Sequence, residues 1–299
     1  MKPFSPKMIR TLLWITAGSL LLLYLLFRFG PALMGFEKTP QQSRAYFQNL
    51  GLSPTFGTLE TQGRKIHYVD TGGDSLPTVI FIHGSPGSWD AFQRYLGDSL
   101  LLSKFRMIAV DRLGYGQSDP QPESSLAIQA GSLLPLLGTV PDGVPVILVG
   151  HSYGGPVAYR MAMEQPECID GLLILAGLAD PAKEKRLWIQ KPLRSKWLRW
   201  LLPPALDISN REIVPLKGEL QQMVPLWPRI QACTTIIQGG RDMLVNKAHA
   251  EFARNMLHHV PLRYVYLPKA NHFLPWTHYE LVKNELLNLL QWCPSLSGH

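Results

Sequence analysis

Short apolar segments alternate with helix-like segments from about residue 55 to residue 292. Buried parallel strands are short and almost continuously apolar, and a two-residue alternation indicates a half-buried strand. On these criteria the predicted strands are Thr58–Gln62, Lys65–Asp70, Thr78–His83, Arg106–Asp111, Pro145–Gly150, Gly171–Ala176, Thr234–Gln238 and Arg263–Leu267. Apolar residues at helical spacing predict helices near Trp89–Leu101, Ser125–Leu137, Tyr153–Gln165, Lys247–Leu257 and Tyr279–Trp292. This alternation predicts an α/β domain whose mostly parallel, eight-stranded sheet has helices on both faces.

One segment interrupts the alternation, at about residues 180–231 between the sixth and seventh predicted strands. It is rich in Pro, Trp and basic residues, and we expect it to form a helical cap over the carboxyl edge of the sheet. The predicted order is an N-terminal segment at 1–36, a connector at 37–54, the α/β domain with its cap at 55–292, and a C-terminal tail at 293–299.

The N-terminal segment contains 17 consecutive uncharged, Leu-rich residues between Arg10 and Arg28. As a helix this run is roughly 25 Å long, close to what the hydrocarbon core of a bilayer requires. The apolar residues 29–36 extend it, so we expect residues 1–36 to comprise a cytoplasmic tail and one transmembrane helix. A cleaved signal peptide is the alternative, but no clear A-x-A cleavage site follows the run.

Basic residues before this run set the expected orientation. Lys2, Lys7 and Arg10 precede it without an acidic residue, so the positive-inside rule places the N-terminus in the cytoplasm. The rest of the chain is then expected across the membrane, in the periplasm or outside the cell if the source is bacterial.

Composition and charge narrow the class of protein. Of the 299 residues, 46% are hydrophobic and 17% are charged, which excludes a disordered, collagen-like or coiled-coil chain. The formal charge of +7 is concentrated in residues 183–199, where seven Lys and Arg residues accompany one acid, Glu184. Trp and Leu are interleaved with these cations, and no zinc-finger, RRM or homeodomain pattern occurs, so nucleic acid is not an expected partner.

The cap has two interpretations. Leu193, Trp197, Trp200 and Leu201 fall on one face of a helix, with cations on the other. Either the apolar face closes over the sheet and the cations are solvated, or this face rests on anionic membrane lipid. Membrane lipid is thus an expected partner through the anchor and a candidate partner through the cap.

Three cysteines limit the redox and metal chemistry of the chain. Cys168, Cys233 and Cys293 lack C-x-x-C spacing, so neither a thiolate zinc site nor a disulfide framework is expected. Cys168 and Cys233 precede neighbouring strands and are candidates for pairing in an oxidising compartment.

The strongest chemical signal is Gly-His-Ser-Tyr-Gly at residues 150–154. It follows an apolar strand and precedes a helical pattern, which is typical of a nucleophile elbow. So tight a turn needs small residues on both sides of the serine and places its Oγ at the helix N-terminus, where the helix dipole favours negative charge. We therefore expect Ser152 to be a nucleophile; an inert serine in a Gly-rich turn is the alternative.

A serine hydroxyl is a weak nucleophile and needs a base, which in turn needs an orienting acid. Asp242 follows the seventh predicted strand and His272 follows the eighth. Both are therefore expected with Ser152 at the carboxyl edge of the sheet, where α/β proteins bind ligands. We expect His272 to be the base and Asp242 the acid, with Asp180, after the sixth strand, as the alternative acid.

Two backbone N–H groups are candidates for an oxyanion hole. The loop after the third strand reads His-Gly-Ser-Pro-Gly at residues 83–87. The N–H of Ser85 in this loop and that of Tyr153, directly after the serine, would face the carbonyl oxygen of a bound acyl group. A plain Pro-Gly turn is the alternative.

These motifs, in this order, resemble the α/β-hydrolase fold superfamily over about residues 55–292. The resemblance implies a serine hydrolase branch with a cap between strands six and seven. It also includes Asp-Arg-Leu-Gly-Tyr-Gly-Gln-Ser at 111–118, where it implies a structural role for Asp111 and Ser118 at the base of the pocket.

Individual branches of the superfamily match less well. Haloalkane dehalogenases and soluble epoxide hydrolases resemble this chain in the H-G-x-P loop and the cap position, but they use an aspartate nucleophile where this chain has Ser152. Proline iminopeptidases usually read H-G-G-P-G, whereas this loop has Ser85. An aminopeptidase also needs an anionic site for the substrate amine, which the basic cap disfavours.

We therefore predict a membrane-anchored serine hydrolase that acts on small-molecule carboxylic esters without a cofactor or metal. Ser152, His272 and Asp242 are its predicted triad, and the N–H groups of Ser85 and Tyr153 its predicted oxyanion hole. The same residues suit an amidase, a thioesterase or a C–C bond hydrolase. The alternative from another class is a relative of the same fold that binds a ligand without turnover.

Overall fold

The structure is a computed structural model that describes residues 6–33, 39–184, 191–195 and 197–296. Its strands are β1 (Thr55–Thr61), β2 (Arg64–Thr71), β3 (Thr78–Ile82), β4 (Arg106–Val110), β5 (Val146–His151), β6 (Gly171–Leu175), β7 (Cys233–Gly239) and β8 (Leu262–Leu267). They form one sheet in the order β1-β2-β4-β3-β5-β6-β7-β8. β2 pairs antiparallel with β1 and β4, and the other neighbours are parallel. The predicted eight-stranded α/β architecture is confirmed.

The described helices are α1 (Pro6–Leu33), α2 (Pro40–Asn49), α3 (Gln93–Leu96), α4 (Ser99–Leu102), α5 (Leu126–Leu133), α6 (Gly154–Glu164), α7 (Pro204–Met223), α8 (Ala248–Met256), α9 (Leu274–Thr277) and α10 (Tyr279–Trp292). Helices such as α6 and α10 pack on opposite faces of the sheet. Successive residues of a strand point to opposite faces. In β5, Leu148 packs into one core cluster and Ile147 and Val149 into the other. A strand with both faces buried therefore reads as a continuous apolar run.

The parallel register brings several strand ends to one edge of the sheet. Ile82 at the end of β3 lies beside Gly150 in β5, and Gly239 at the end of β7 lies beside Leu267 at the end of β8. The loops that follow β3, β5, β7 and β8 consequently meet at this carboxyl edge.

Two predicted helices are shorter than the apolar pattern indicated. The segment predicted at Trp89–Leu101 is a 3-10 turn followed by α3 and α4, which are separated at Gly97, and Asp98 caps α4 by accepting from the N–H groups of Leu100 and Leu101. The helix predicted at Ser125–Leu137 ends at Leu133, and a 3-10 turn with Pro135 near its start follows. Gly and Pro interrupted both patterns.

Residues on either side of the α/β unit also contribute to its core. α2 begins with a capping box in which Thr39 and Gln42 satisfy each other's backbone N–H. Its Phe47 is fully buried and lies near Trp89 and Phe56. Residues 34–38, within the predicted boundary between anchor and connector, lie outside the described residues.

The cysteine pairing differs from the candidate given by the sequence. Cys233 at the start of β7 forms a disulfide with Cys293, and Cys168 is an exposed free thiol. Cys293 follows α10, which packs on the same face of the sheet as Cys233. The candidate pairing of Cys168 with Cys233, which rested on their positions before neighbouring strands, is therefore wrong. The partner of Cys233 is Cys293, which α10 places next to β7.

The segment between β6 and β7 contains α7, but it does not form the predicted helical face through Leu193, Trp197, Trp200 and Leu201. Its described part before α7 has two 3-10 turns, separated by Ser195 in an extended conformation with ψ 140°. Trp197 is 85% exposed, and the ring of Trp200 contacts Tyr24 of α1. Residues 185–190 and 196, which carry part of the predicted basic cluster, lie outside the described residues.

The prediction of a single-pass membrane protein is wrong. Within the described ranges, no helix combines the length and the apolar character that a bilayer crossing requires. The uncharged run in α1 has 17 residues between Arg10 and Arg28 and includes polar Thr16 and Ser19, whereas a span needs about 20 predominantly apolar residues. The predicted orientation across a membrane and the predicted lipid contact through an anchor both depended on that transmembrane helix, so neither is supported.

Candidate active site

Ser152 occupies a strained turn between β5 and α6. Its φ is +54°, in the left-handed region that non-glycine residues rarely adopt. Its N–H donates to the carbonyl of Leu175 at the end of β6, and its carbonyl accepts from the N–H of Gly155. The serine therefore lies at the N-terminus of α6, in a backbone conformation that is concentrated at functional sites.

Small residues around Ser152 allow the close approach of neighbouring loops. A side-chain carbon at Gly154 would lie 2.1 Å from the carbonyl oxygen of Ile82, and one at Gly150 would lie 2.5 Å from the carbonyl oxygen of Gly154. Real Cβ atoms do not tolerate such distances. The two glycines of the motif are thus required by the contact between β3, β5 and the start of α6.

Asp242 and His272 lie together at the same edge. His272 Nδ1 donates to Asp242 Oδ2 at 2.7 Å. The other carboxylate oxygen, Oδ1, accepts from the N–H groups of Leu244 and Val245. Burial would raise the pKa of Asp242, but these hydrogen bonds, led by that from His272, outweigh it and hold the pKa below its usual value. Asp242 is therefore an ionised acceptor that fixes the proton of His272 on Nδ1.

A second histidine supports the backbone of the first. His151, directly before Ser152, donates from Nε2 to the carbonyl oxygen of His272 at 3.1 Å. Burial, together with electrostatic repulsion between the rings of His151 and His272, lowers the pKa of His151 to about 3. His151 therefore stays neutral and ties the loop after β8 to the turn that carries Ser152.

The alternative acid has other partners. Asp180 accepts from the N–H of Ala182, and its own N–H donates to His249 Nδ1. His249 Nδ1 also accepts from the N–H of Ala179, and burial lowers the pKa of His249 to about 4. Asp180 and His249 thus form a separate buried arrangement after β6.

The loop after β3 is held by His83. Its Nδ1 donates to the carbonyl of Gly84 at 2.7 Å, and its Nε2 accepts from the N–H of Arg112 at 3.0 Å. Burial first, and then the positive charge of Arg112, keep the pKa of His83 well below its usual value. Both ring nitrogens of neutral His83 are therefore committed to positioning this loop.

The two predicted oxyanion donors lie at the same edge as Ser152. In the part of the chain that the structure describes, neither the N–H of Ser85 nor that of Tyr153 donates to another backbone group. A side-chain carbon at Gly84, the residue before Ser85, would lie 3.0 Å from Ser152 Cβ. Both N–H groups are thus free for an external acceptor next to the serine.

A cavity of about 450 Å³ lies at this edge of the sheet. Its polar lining includes Ser85, Ser152, Asp242 and His272. Its apolar lining consists of Leu178, Ile213, Leu216, Met243, Leu244 and Val245. Lys183, Glu184 and Asn246 complete the lining. Its size and mixed lining suit a small-molecule ligand.

The loop after β4 is held in place by hydrogen bonds of Asp111 and Ser118. Asp111 pairs with His67 and accepts from the N–H groups of Trp89 and Gln117. Ser118 Oγ donates to the carbonyl of Asp111. These two residues, to which the family resemblance gave a structural role, hold the loop to β2 and to the turn after β3.

One buried acid, Glu212, was not among the residues predicted from the sequence. Glu212 of α7 is fully buried and forms an ion pair with Arg112 at 2.6 Å. Its only sequence signal is an acidic residue beside apolar Ile213, Val214 and Leu216 in a helical segment. Helical periodicity cannot identify a partner 100 residues away in the chain.

Within the ranges that the structure describes, no group of three or more His, Cys, Asp or Glu side chains is arranged to hold a metal ion. Asp242 and His272 are instead paired with each other, and Asp180 and His249 are hydrogen-bonded to backbone N–H groups.

Comparisons with known proteins agree with this architecture. A family model described as the alpha/beta hydrolase family matches residues 79–285. An epoxide hydrolase from Vigna radiata has a similar structure, with a TM-score of 0.62 at 16% identity over 80% of this chain and 98% of that chain. At this identity the likeness shows the fold alone.

Curated relatives match over shorter segments. Epoxide hydrolase 1 of Caenorhabditis elegans is 34% identical over 116 residues, which cover 36% of this chain and 27% of that protein. The sn-1-specific diacylglycerol lipase ABHD11 of Mus musculus is 32% identical over 107 residues, which cover 35% of this chain and 34% of that protein. The chain thus spans about a third or less of the length of these relatives.

Proposed function

The chain belongs to the alpha/beta hydrolase family, and we propose that it is a serine hydrolase that cleaves carboxylic esters of small molecules. The observation that carries the proposal is that Ser152, on its strained turn, lines the same cavity as the hydrogen-bonded pair of Asp242 and His272. A nucleophile, a base and an orienting acid are the groups that acyl transfer requires.

In the first half of the proposed reaction, Ser152 Oγ attacks the acyl carbon of the ester. His272, whose Nδ1 is committed to Asp242, uses Nε2 to take the hydroxyl proton. The resulting imidazolium returns that proton to the leaving alcohol as the C–O bond breaks. The ionised carboxylate of Asp242 stabilises the positive charge on the ring while it lasts.

In the second half, a water molecule loses a proton to His272 and attacks the acyl-serine. The proton then returns to Ser152 Oγ as the acid product leaves. In both halves, negative charge develops on the acyl oxygen, and the N–H groups of Ser85 and Tyr153 are the proposed donors to it. Fixed donors of this kind are typically worth about 10²- to 10³-fold each in kcat.

Some relatives are named epoxide hydrolases, but the residue on the turn after β5 favours acyl transfer. The resemblance described above implies an aspartate nucleophile in soluble epoxide hydrolases, whereas this chain has Ser152. Another relative is named a diacylglycerol lipase, and a lipase cleaves esters. We therefore propose an ester rather than an epoxide as the substrate.

A panel of p-nitrophenyl esters, from acetate to octanoate, tests this function on the full chain. We expect turnover of at least one ester by the wild type, and a loss of about 10⁴-fold or more in kcat in Ser152→Ala. A folded wild type that hydrolyses none of the esters, or a Ser152→Ala variant with unchanged turnover, would contradict the proposal.

A further inference from the structure

Glu212 joins the segment between β6 and β7 to the loop after β3. Its side chain is fully buried, although it comes from α7 and not from the sheet. One carboxylate oxygen, Oε1, accepts from Arg112 Nη1 at 2.6 Å, and the other, Oε2, accepts from Tyr115 Oη at 2.8 Å. Arg112 and Tyr115 each contact the loop that carries Ser85.

We propose that Glu212 is a positioning residue that orients the N–H of Ser85 through Arg112 and Tyr115. The inference rests on the proposed function, in which the Ser85 N–H donates to the developing oxyanion. Glu212 itself touches neither Ser152 nor the substrate in this account.

The first connection runs through the guanidinium group. Arg112 Nε donates to the carbonyl of His83 at 3.0 Å, and Nη2 donates to the carbonyl of Gly84 at 2.9 Å. Nη1 and Nη2 both donate to Glu212 as well, at 2.6 and 3.3 Å. The guanidinium is planar and rigid, so fixing one edge on a carboxylate fixes the direction of its other N–H groups.

The geometry of the peptide bond transmits this constraint to Ser85. In a trans peptide the carbonyl and the N–H lie in one plane and point in opposite directions. The carbonyl of Gly84 is held on one side by Arg112 Nη2 and by His83 Nδ1. The N–H of Ser85, which belongs to the same peptide group, must therefore point away from Arg112.

The second connection is a chain of hydroxyl groups. Ser85 Oγ lies 2.9 Å from Tyr115 Oη, which donates its single proton to Glu212. Ser85 Oγ is therefore the donor to Tyr115. Burial first, and then the charge of Glu212, keep the pKa of Tyr115 well above its usual value, so the phenol remains a donor to the carboxylate. Backbone and side chain of Ser85 thus depend on the same acid.

A carboxylate is needed at this position because Arg112 is fully buried. Burial alone would lower the pKa of Arg112, but the charge and the hydrogen bond of Glu212, together with the neighbouring Tyr115 and Tyr153, outweigh burial and raise it. Replacing Glu212 by a neutral amide keeps the shape of the side chain but leaves a buried cation without its counter-charge. Arg112 is then expected to shift, which leaves His83 Nδ1 as the remaining donor to the carbonyl of Gly84 and makes the orientation of that peptide group less fixed.

Glu219 offers a matched control on the same helix. Its Oε2 accepts from the N–H of Leu126 at the start of α5, so it also joins α7 to the main domain. It lies seven residues, about two helical turns, beyond Glu212, and it contacts α5 and not the loop after β3. Glu219→Gln therefore neutralises a second acid that joins α7 to the main domain, without touching the proposed route.

A labelling experiment reports on the Ser85 amide whether or not the protein is active. The chain contains Gly-Ser sequences at residues 18–19, 84–85, 87–88 and 131–132. With carbonyl-¹³C glycine and ¹⁵N serine, an HNCO spectrum of the full chain shows only these peptide groups. A Ser85→Thr spectrum assigns the 84–85 peak by its disappearance.

We expect Glu212→Gln to move the 84–85 peak. We also expect it to lower kcat on p-nitrophenyl acetate about 10- to 100-fold with KM within twofold, because a misdirected oxyanion donor weakens binding of the transition state and not of the substrate.

Glu219→Gln should leave both the 84–85 peak and kcat unchanged. Tyr115→Phe, which removes only the hydroxyl connection, should fall between the two. If Glu212→Gln does not fold, Arg112→Met with Glu212→Leu removes both charges together and should show the same split between kcat and KM.

The outcomes separate this inference from the proposed function. An active wild type whose 84–85 peak and kcat are unchanged in Glu212→Gln would overturn the positioning role. An equal effect of Glu219→Gln would also overturn it, because any link to α7 would then suffice. A wild type without esterase activity would overturn the proposed function, while a peak shift confined to Glu212→Gln would still support the positioning contact.

Discussion

Asp242 Oδ2 lies 2.7 Å from His272 Nδ1, although the two residues are 30 positions apart in the chain. Each lies in the loop after a strand, and those strands, β7 and β8, are parallel neighbours whose ends pair at Gly239 and Leu267. The sheet register alone therefore brings an acid and a histidine together at the edge where Ser152 lies.

This pairing makes Asp242→Asn a specific test. The amide keeps the size of the side chain, but its N–H₂ group can donate to His272 Nδ1. That contact favours the tautomer with the proton on Nε2, which cannot accept the proton of Ser152. We expect kcat for ester hydrolysis to fall about 10³- to 10⁴-fold with little change in KM, measured by steady-state kinetics on a protein with unchanged circular dichroism.

Asp180→Asn is the control for this variant, because Asp180 was the alternative acid and instead accepts from Ala182 N–H. Its kcat should stay within about threefold of the wild type. The reverse order of effects would assign the acid to Asp180 and contradict the account.

The strands and the candidate site were predictable from the sequence for one physical reason. A parallel strand buried on both faces is a short apolar run, so its end is visible, and Ser152, Asp242 and His272 are all placed relative to such ends. Glu212 was not predictable, because its partner Arg112 is reached only through packing of α7 on the main domain. The disulfide partner Cys293 was missed for the same reason, since a helix brings it to β7.

Predictions for the amphipathic and N-terminal segments failed differently. Helical spacing placed Trp197 and Trp200 on one face, but local turns around Pro192 and an extended Ser195 prevent that helix. Apolar character alone suggested a membrane span, yet within the described residues no helix is suited to one. Helical spacing describes a segment by itself, whereas the conformation at Trp197 and Trp200 depends on the turns next to them.

His249 is expected to make stability depend on pH. Its Nδ1 accepts from two N–H groups, those of Ala179 and Asp180, so protonation of that nitrogen would break both hydrogen bonds. Its pKa is lowered from 6.5 to about 4, mainly by burial. A group whose pKa is depressed on folding stabilises the protein above its unfolded pKa, and that contribution is lost as the pH falls toward the folded value.

For His249 the free energy of unfolding should therefore decrease between about pH 6.5 and pH 4, by about 3 kcal/mol at most. Urea unfolding at several pH values measures it. His249→Asn retains an acceptor for the two N–H groups but does not titrate, so its stability curve should be flatter in this range. His258→Asn, at an exposed histidine after the same helix, should keep the wild-type slope; an equally steep curve for His249→Asn would contradict the prediction.

The disulfide between Cys233 and Cys293 closes a loop of 60 residues. A cross-link that closes such a loop reduces the conformational entropy of the unfolded chain, which is expected to raise the free energy of unfolding by about 4 kcal/mol. Cys293→Ser should therefore unfold at a clearly lower urea concentration than the oxidised wild type, whereas Cys168→Ser, at the exposed thiol, should not. Alkylation of three thiols in the unreduced, denatured wild type would contradict the assignment.

The central claim is that Ser152 is an activated nucleophile, and covalent labelling tests it most directly. The full chain is incubated with a fluorophosphonate probe, digested and analysed by mass spectrometry, beside Ser152→Ala and His272→Gln. The account predicts one adduct, on Ser152, in the wild type, no adduct in Ser152→Ala, and a strongly reduced labelling rate in His272→Gln. A folded wild type that stays unlabelled, or a label on another residue that persists in Ser152→Ala, would contradict it.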